Sequence, residues 1–198
     1  MDTAQYGFLL VIMQPPPAME EEFNAWYDTE HVPERLAVPG FLSARRFVNL
    51  DGHPRYLAMY DLERVEVLDS DAYQAVSGVS FSPWTKRVTS RVRVWRYSGE
   101  QVHPGDRVTG PCARLTLLRF HDIAEGDGTE LAATLREAFG KRLETAGLRV
   151  FACDDSRDHY GLVETRGPIA PADILPRLGR FAAALDLYST YAPYDPRL

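Results

Sequence analysis

Phe23 to Arg46 reads FNAWYDTEHVPERLAVPGFLSARR, a run that crowds aromatic, carboxylate, histidine and arginine side chains into Phe23–Arg35 before Pro39-Gly40 leads into a strand-like segment. On an α-helix, residues three and four apart are neighbours. That spacing predicts contacts of His31 with Tyr27, Asp28 and Arg35, and a second pair between Trp26 and Glu30. Pro33 has no N–H for the Thr29 carbonyl and disfavours helical geometry at Val32, so the helix is expected to stop or kink just after His31. An imidazole at a helix C-terminus beside carboxylates gains from its charged form, which predicts a raised pKa for His31. A structural role is equally open: Phe23, Tyr27 and Leu36 as core, the charges solvated, and His31 as a helix-end cap.

Upstream, Tyr6–Met13 (YGFLLVIM) is an apolar run of strand length, expected to be buried on both faces. Pro15, Pro16 and Pro17 end it, and Glu20, Glu21 and Glu22 suit the positive end of a helix that starts near Pro17. Downstream, Phe41–Leu50 and Arg55–Leu62 flank an Asp51-Gly52 turn and predict a hairpin. Asp69–Gly78 and Pro83–Val88 read as short helices. Thr89–Ser98 reads as a strand with Arg91, Arg93, Trp95 and Tyr97 on one face and Val92 and Val94 on the other. The order is β-α-β-β-α-β.

Ser98–Pro111, with three glycines and two prolines, reads as a polar linker, and beyond it the order recurs. Arg114–Ile123 is a strand, and Thr129–Thr145 is a helix with Leu131, Leu135, Phe139 and Leu143 every four positions, ended by Gly147. Strands at Leu148–Cys153 and His159–Thr165 follow, then a helix within Ala170–Leu187 broken at Pro176, then a last strand, Tyr188–Pro193. Residues 1–98 and 112–198 thus read as two repeats of an old duplication joined by 99–111. Each is a split βαβ, ferredoxin-like unit, four antiparallel strands with helices on one face. The bare sheet face must be covered, and two such sheets packed face to face make an α+β barrel.

The chain has 198 residues, 45% of them hydrophobic, enough for one large or two small cores. A net charge of -6, shared evenly between the halves, argues against a nucleic-acid partner, which calls for a basic face. No apolar run approaches the roughly 18 residues of a membrane span, and the N-terminus lacks a signal-peptide pattern, so a cytoplasmic protein without a membrane partner is expected. Cys112 and Cys153 form no CxxC pair and have no histidine at zinc-ligand spacing; two buried thiols are expected, with a single disulfide as the alternative. Asp28 and His31 have no HxxxH or HxxE partner, so no metal site is expected. Of the other histidines, His53 and His103 lie in turns, while His121 and His159 read as structural strand residues.

The pattern FxxWYDxEHxPERLxVPGFxxARRF, followed by PRYLAMYDL, resembles the EthD-like and related dimeric α+β barrel proteins. The resemblance covers residues 6 to 98; in 112 to 198 it is one of element order, since the first helix there offers Phe139, Lys141 and Arg142 in place of the motif. It implies the barrel fold, a homodimer, and a pocket between sheet and helices for small, mostly apolar molecules. Members of the superfamily include cofactor-independent monooxygenases, cyclases, isomerases, dehydratases and haem-degrading enzymes.

A histidine beside a carboxylate that fixes its tautomer is the usual acid/base unit. His31 with Asp28 or Glu30 fits it, and Arg45, or Arg91 and Arg93, is the candidate to hold an enolate or carboxylate. Trp26, Tyr27, Tyr60 and Trp95 are candidate pocket walls for a flat substrate. The expected function is cofactor-independent proton transfer on a small apolar or aromatic metabolite, of lyase, isomerase or cyclase type. Two alternatives stand beside it: a monooxygenase of the same superfamily, cofactor-free or with haem on His31 or His121, and a ligand-binding barrel without chemistry.

Overall fold

The apolar run near the N-terminus is strand β1 (Gly7–Gln14), apolar as far as Met13 because both its faces are covered. Phe8, Leu10 and Ile12 enter one buried cluster, and Leu9, Val11 and Met13 another. In the computed structural model, which describes residues 5–195, β1 pairs antiparallel with β3 (Tyr56–Leu62) and β4 (Arg93–His103), and β3 pairs with β2 (Phe41–Asn49). The second half repeats this arrangement. There β5 (Arg114–Phe120) lies between β7 (His159–Thr165) and β8 (Leu185–Pro193), and β6 (Thr145–Cys153) lies beyond β7.

Two seams close the eight strands into a barrel, β2 against β8 and β4 against β6. Both are short: Phe47–Asn49 faces Tyr191–Pro193, and Gly99–His103 faces Val150–Cys153. The interior is filled by side chains from both halves, among them Phe8, Phe47, Met59, Leu117, Phe151, Tyr160 and Tyr191. Helices cover the outside. The first half carries α1 (Glu20–Trp26), α2 (Val32–Leu36), α3 (Asp71–Gln74) and α4 (Pro83–Thr89); the second carries α5 (Gly128–Phe139) and α6 (Pro171–Ile174). Among the described residues no helix is long and apolar enough to cross a membrane.

Where the halves meet, charge is buried. Arg149 donates to Asp61 at 2.6 Å and to Glu164 at 3.2 Å, all three side chains being almost fully enclosed. The backbone N–H groups of Thr109 and Gly110 donate to Asp61 and Glu164, and Arg107 adds a second cation beside Glu164. This ties residues 107–110 down across the barrel.

Several expected boundaries move. The polar linker expected over 99–111 is strand as far as His103, because Gly99–His103 makes the seam with β6. Gly99 permits the close approach: a Cβ there would stand 1.9 Å from the Ala152 carbonyl oxygen. The helix expected to reach Thr145 stops at Gly140, seven residues before the glycine read as its end, since Thr145 is already paired with Thr165 in β6; Leu143 is left 92% exposed. The helix expected over Asp69–Gly78 contracts to α3, capped by the Ser70 hydroxyl. The two cysteines are not bonded to each other; Cys153 is buried and Cys112 half-buried.

Candidate functional site

Pro33 does not end the helix. Between α1 and α2 the chain widens into a π-turn, Tyr27–His31, in which the Val32 N–H reaches the Tyr27 carbonyl, and the helix then continues to Leu36. The extra residue resets the register so that Pro33 falls in the first turn of α2, where a missing N–H costs nothing. It also changes which side chains meet. His31 packs its ring on Trp26, five residues back, with centroids 4.4 Å apart, and meets Tyr27 edge-on at 5.0 Å.

The carboxylates turn elsewhere. Asp28 pairs with Arg46, whose guanidinium lies 4.4 Å from the Tyr27 ring centroid and 4.0 Å from that of Tyr194. Glu30 accepts from Ser82 at 2.6 Å and from Thr85 at 2.9 Å, and Thr85 in turn accepts from the Trp26 indole at 2.9 Å. Trp26 and Glu30 are therefore linked as a pair, but through α4. His31 Nδ1 is buried with no hydrogen-bond partner, so no carboxylate fixes its tautomer. Burial, then the charges of Arg35 and Arg46, holds the His31 pKa well below the ordinary imidazole value. This overturns the expected upward shift: the ring sits in mid-helix among cations, and at neutral pH it is the free base.

His31 lines a cavity of about 470 Å³ between the outer face of the sheet and the helices. Leu9, Val11, Met13 and Tyr60 form its floor; Trp26, Tyr27, Tyr73 and Phe81 wall it; Arg35 and Arg96 supply charge. The Tyr60 hydroxyl donates to Tyr27 at 3.1 Å, and burial pushes the Tyr27 phenol up to about 12 and that of Tyr60 well above its usual range. Every lining residue lies between Leu9 and Arg96, so the first repeat builds the cavity alone. On the matching face of the second repeat, Leu131, Leu135, Phe139 and Phe181 fill the space.

Of the residues named from sequence, Trp26, Tyr27, His31 and Tyr60 come together here. Trp95 and Arg45 do not. Trp95 lies on the opposite face of β4 from Val94 and Arg96, and is 39% exposed at the rim. Arg45 lines a separate cavity of about 390 Å³ with Phe47, Cys112 and Tyr194. The anion-holding role expected of Arg45 therefore has no geometry at His31; the cations present are Arg35 and Arg96. Arg96 was legible from strand alternation with Val94, whereas Tyr73 and Phe81 come from a segment of short turns whose path no local pattern marks.

A haem would need an axial imidazole with its other nitrogen held by an acceptor. His31 Nδ1 has none and the ring packs at a tilt against Trp26, while His121 is exposed. Neither fits the group. Among the described residues there is no group of three or more His, Cys, Asp or Glu side chains disposed to hold a metal ion.

No family model and no curated protein matches the chain. Solved structures do. An anthrone oxidase-like protein superposes with a TM-score of 0.70 at 11% identity, covering 98% of this chain and 93% of that one. A candidate monooxygenase from Lactobacillus acidophilus NCFM gives 0.59 at 6% identity over 96% and 93% of the two chains. A mutant chlorite dismutase from Candidatus Nitrospira defluvii gives 0.63 at 11% identity over 98% and 92%. At these identities the likeness is one of architecture, and it spans both repeats: the chain has an α+β barrel fold, with two ferredoxin-like units closed into one barrel within a single polypeptide.

Proposed function

We propose that the cavity of the first repeat binds a flat, mostly apolar or aromatic molecule and that His31 removes a proton from it without a cofactor. The observation that carries this reading is an uncharged imidazole on the wall of an aromatic cavity of about 470 Å³ that also contains two arginines. With Nδ1 sealed off, the proton passes to Nε2. A base whose pKa is depressed is weak, so its substrate must be a comparatively strong carbon or oxygen acid, such as a phenol or a methylene between an aromatic ring and a carbonyl. The positive charges that depress His31 also favour the resulting anion. Trp26, Tyr27 and Tyr60 hold the ring system flat; Asp28 and Glu30 fix the helix rather than the base.

The anion can be reprotonated at another atom, as in an isomerase, or can react with oxygen. The anthrone oxidase-like neighbour favours the second course. Anthrone is the probe: its methylene lies between two aryl rings conjugated to its carbonyl, and losing a proton from it gives a phenolate-type anion. In oxygen-free D2O the protein should accelerate exchange of its methylene protons, and His31→Gln should slow that exchange roughly 100-fold or more. Exchange that proceeds at the parent rate in the variant removes His31 from the chemistry. Admission of oxygen then separates the two courses, since oxygen is consumed in one and not in the other.

A further inference from the structure

Among the described residues three arginines are buried, and two of them are matched to acids. Arg46 has Asp28, and Arg149 has Asp61 and Glu164. Arg35 is the exception. It is 2% exposed, yet among the described residues no carboxylate lies within ion-pair distance of it. Nη1 donates to the Val76 carbonyl at 2.8 Å, and the guanidinium lies 5.2 Å from the Tyr73 ring centroid and 6.0 Å from that of Phe81. Glu34, next in the chain and facing the surface, feels its charge without pairing with it. Burying a cation is costly unless an anion compensates it, and ring faces and one carbonyl compensate only in part.

Arg35 lines the cavity with His31, and no acidic residue does. Arg96, on β4 beside Val11, adds a second positive charge. We infer that the ligand of this cavity is an aromatic carboxylate, its ring against Trp26, Tyr27 and Tyr60 and its carboxylate on the guanidinium of Arg35. A planar fork with donors to spare matches a carboxylate, and the anion arrives with the ligand rather than forming in the reaction. The assignment deepens the proposed function by adding a group distinct from the proton that His31 removes. It also links the two residues: a carboxylate on Arg35 cancels part of the charge that depresses His31, so the base strengthens when substrate is seated.

The test is calorimetric titration of the whole protein with 2-naphthoate and with 2-naphthamide, which have the same rings and differ in charge. Naphthoate should bind roughly tenfold tighter or more, and the preference should vanish in Arg35→Gln while surviving in part in Arg35→Lys. If the two probes bind alike, or neither binds, the assignment is wrong, and the parent protein alone decides that. A failure of His31 as base therefore shows in exchange, and a failure of Arg35 as anion site shows in binding.

Discussion

His31 carries the argument at the scale of the residue because its surroundings set its charge. Folded, its pKa is held well below the ordinary value by burial and two arginines; unfolded, it titrates near 6.5. Between the two values the unfolded chain binds the extra proton, so stability is full above about pH 6.5 and is lost as the pH falls toward the folded value. His103 and His159 are shifted in the same direction by burial and add to the effect. The melting temperature should accordingly drop between pH 7 and pH 5, and the drop should shrink in His31→Gln when both proteins are followed by thermal unfolding. Activity that depends on neutral His31 should stay level through pH 6.5 rather than halve there. The density of reactive side chains in Phe23–Arg35 made this histidine legible in the sequence, and helical spacing found one true neighbour, Tyr27. Helical spacing of three and four assigned it to Asp28, and one extra residue in the π-turn gave it Trp26 instead. Arg35 was in plain view as well, but its burial depends on Tyr73, Val76 and Phe81, some forty residues away.

Elements were legible where their sequence periodicity was strong and blurred where pairing with a distant strand decided the outcome. The strands β1, β2, β3 and β7 lie within a residue or so of their expected limits, since alternation or a continuous apolar run marks them. β4 runs five residues past its expected end, into what composition marks as linker, because its partner β6 lies some fifty residues away. Gly99 is the residue that this seam turns on. A methyl group there would collide with the Ala152 carbonyl, backbone against backbone, with no flexible side chain to yield. Gly99→Ala should therefore lower stability by about 1–3 kcal/mol or more, read as a lower urea midpoint at unchanged slope. The same exchange at Gly105, where nothing lies within 4 Å but φ is +112, gives a control for backbone strain without the collision.

For the molecule as a whole, the repeat and the barrel could be foreseen, because a four-stranded sheet with one bare apolar face has few ways to hide it. The buried charges that join the halves could not. Asp61, Arg149 and Glu164 sit in strands whose neighbours are apolar, and nothing local says that they meet. Removing the cation leaves Asp61 enclosed without its ion-pair partner, so Arg149→Met should cost roughly 3–5 kcal/mol, measured by denaturant unfolding.

Closure within one chain has a last implication. In a barrel assembled from two separate subunits each contributes its own copy of the site, whereas here the second repeat fills the matching space with aliphatic and aromatic packing while the first stays hollow. A second molecule is needed neither to seal the shell nor to finish the binding chamber. Any self-association must be recruited from outer helices and strand rims, and stoichiometry should be one ligand per polypeptide at every concentration.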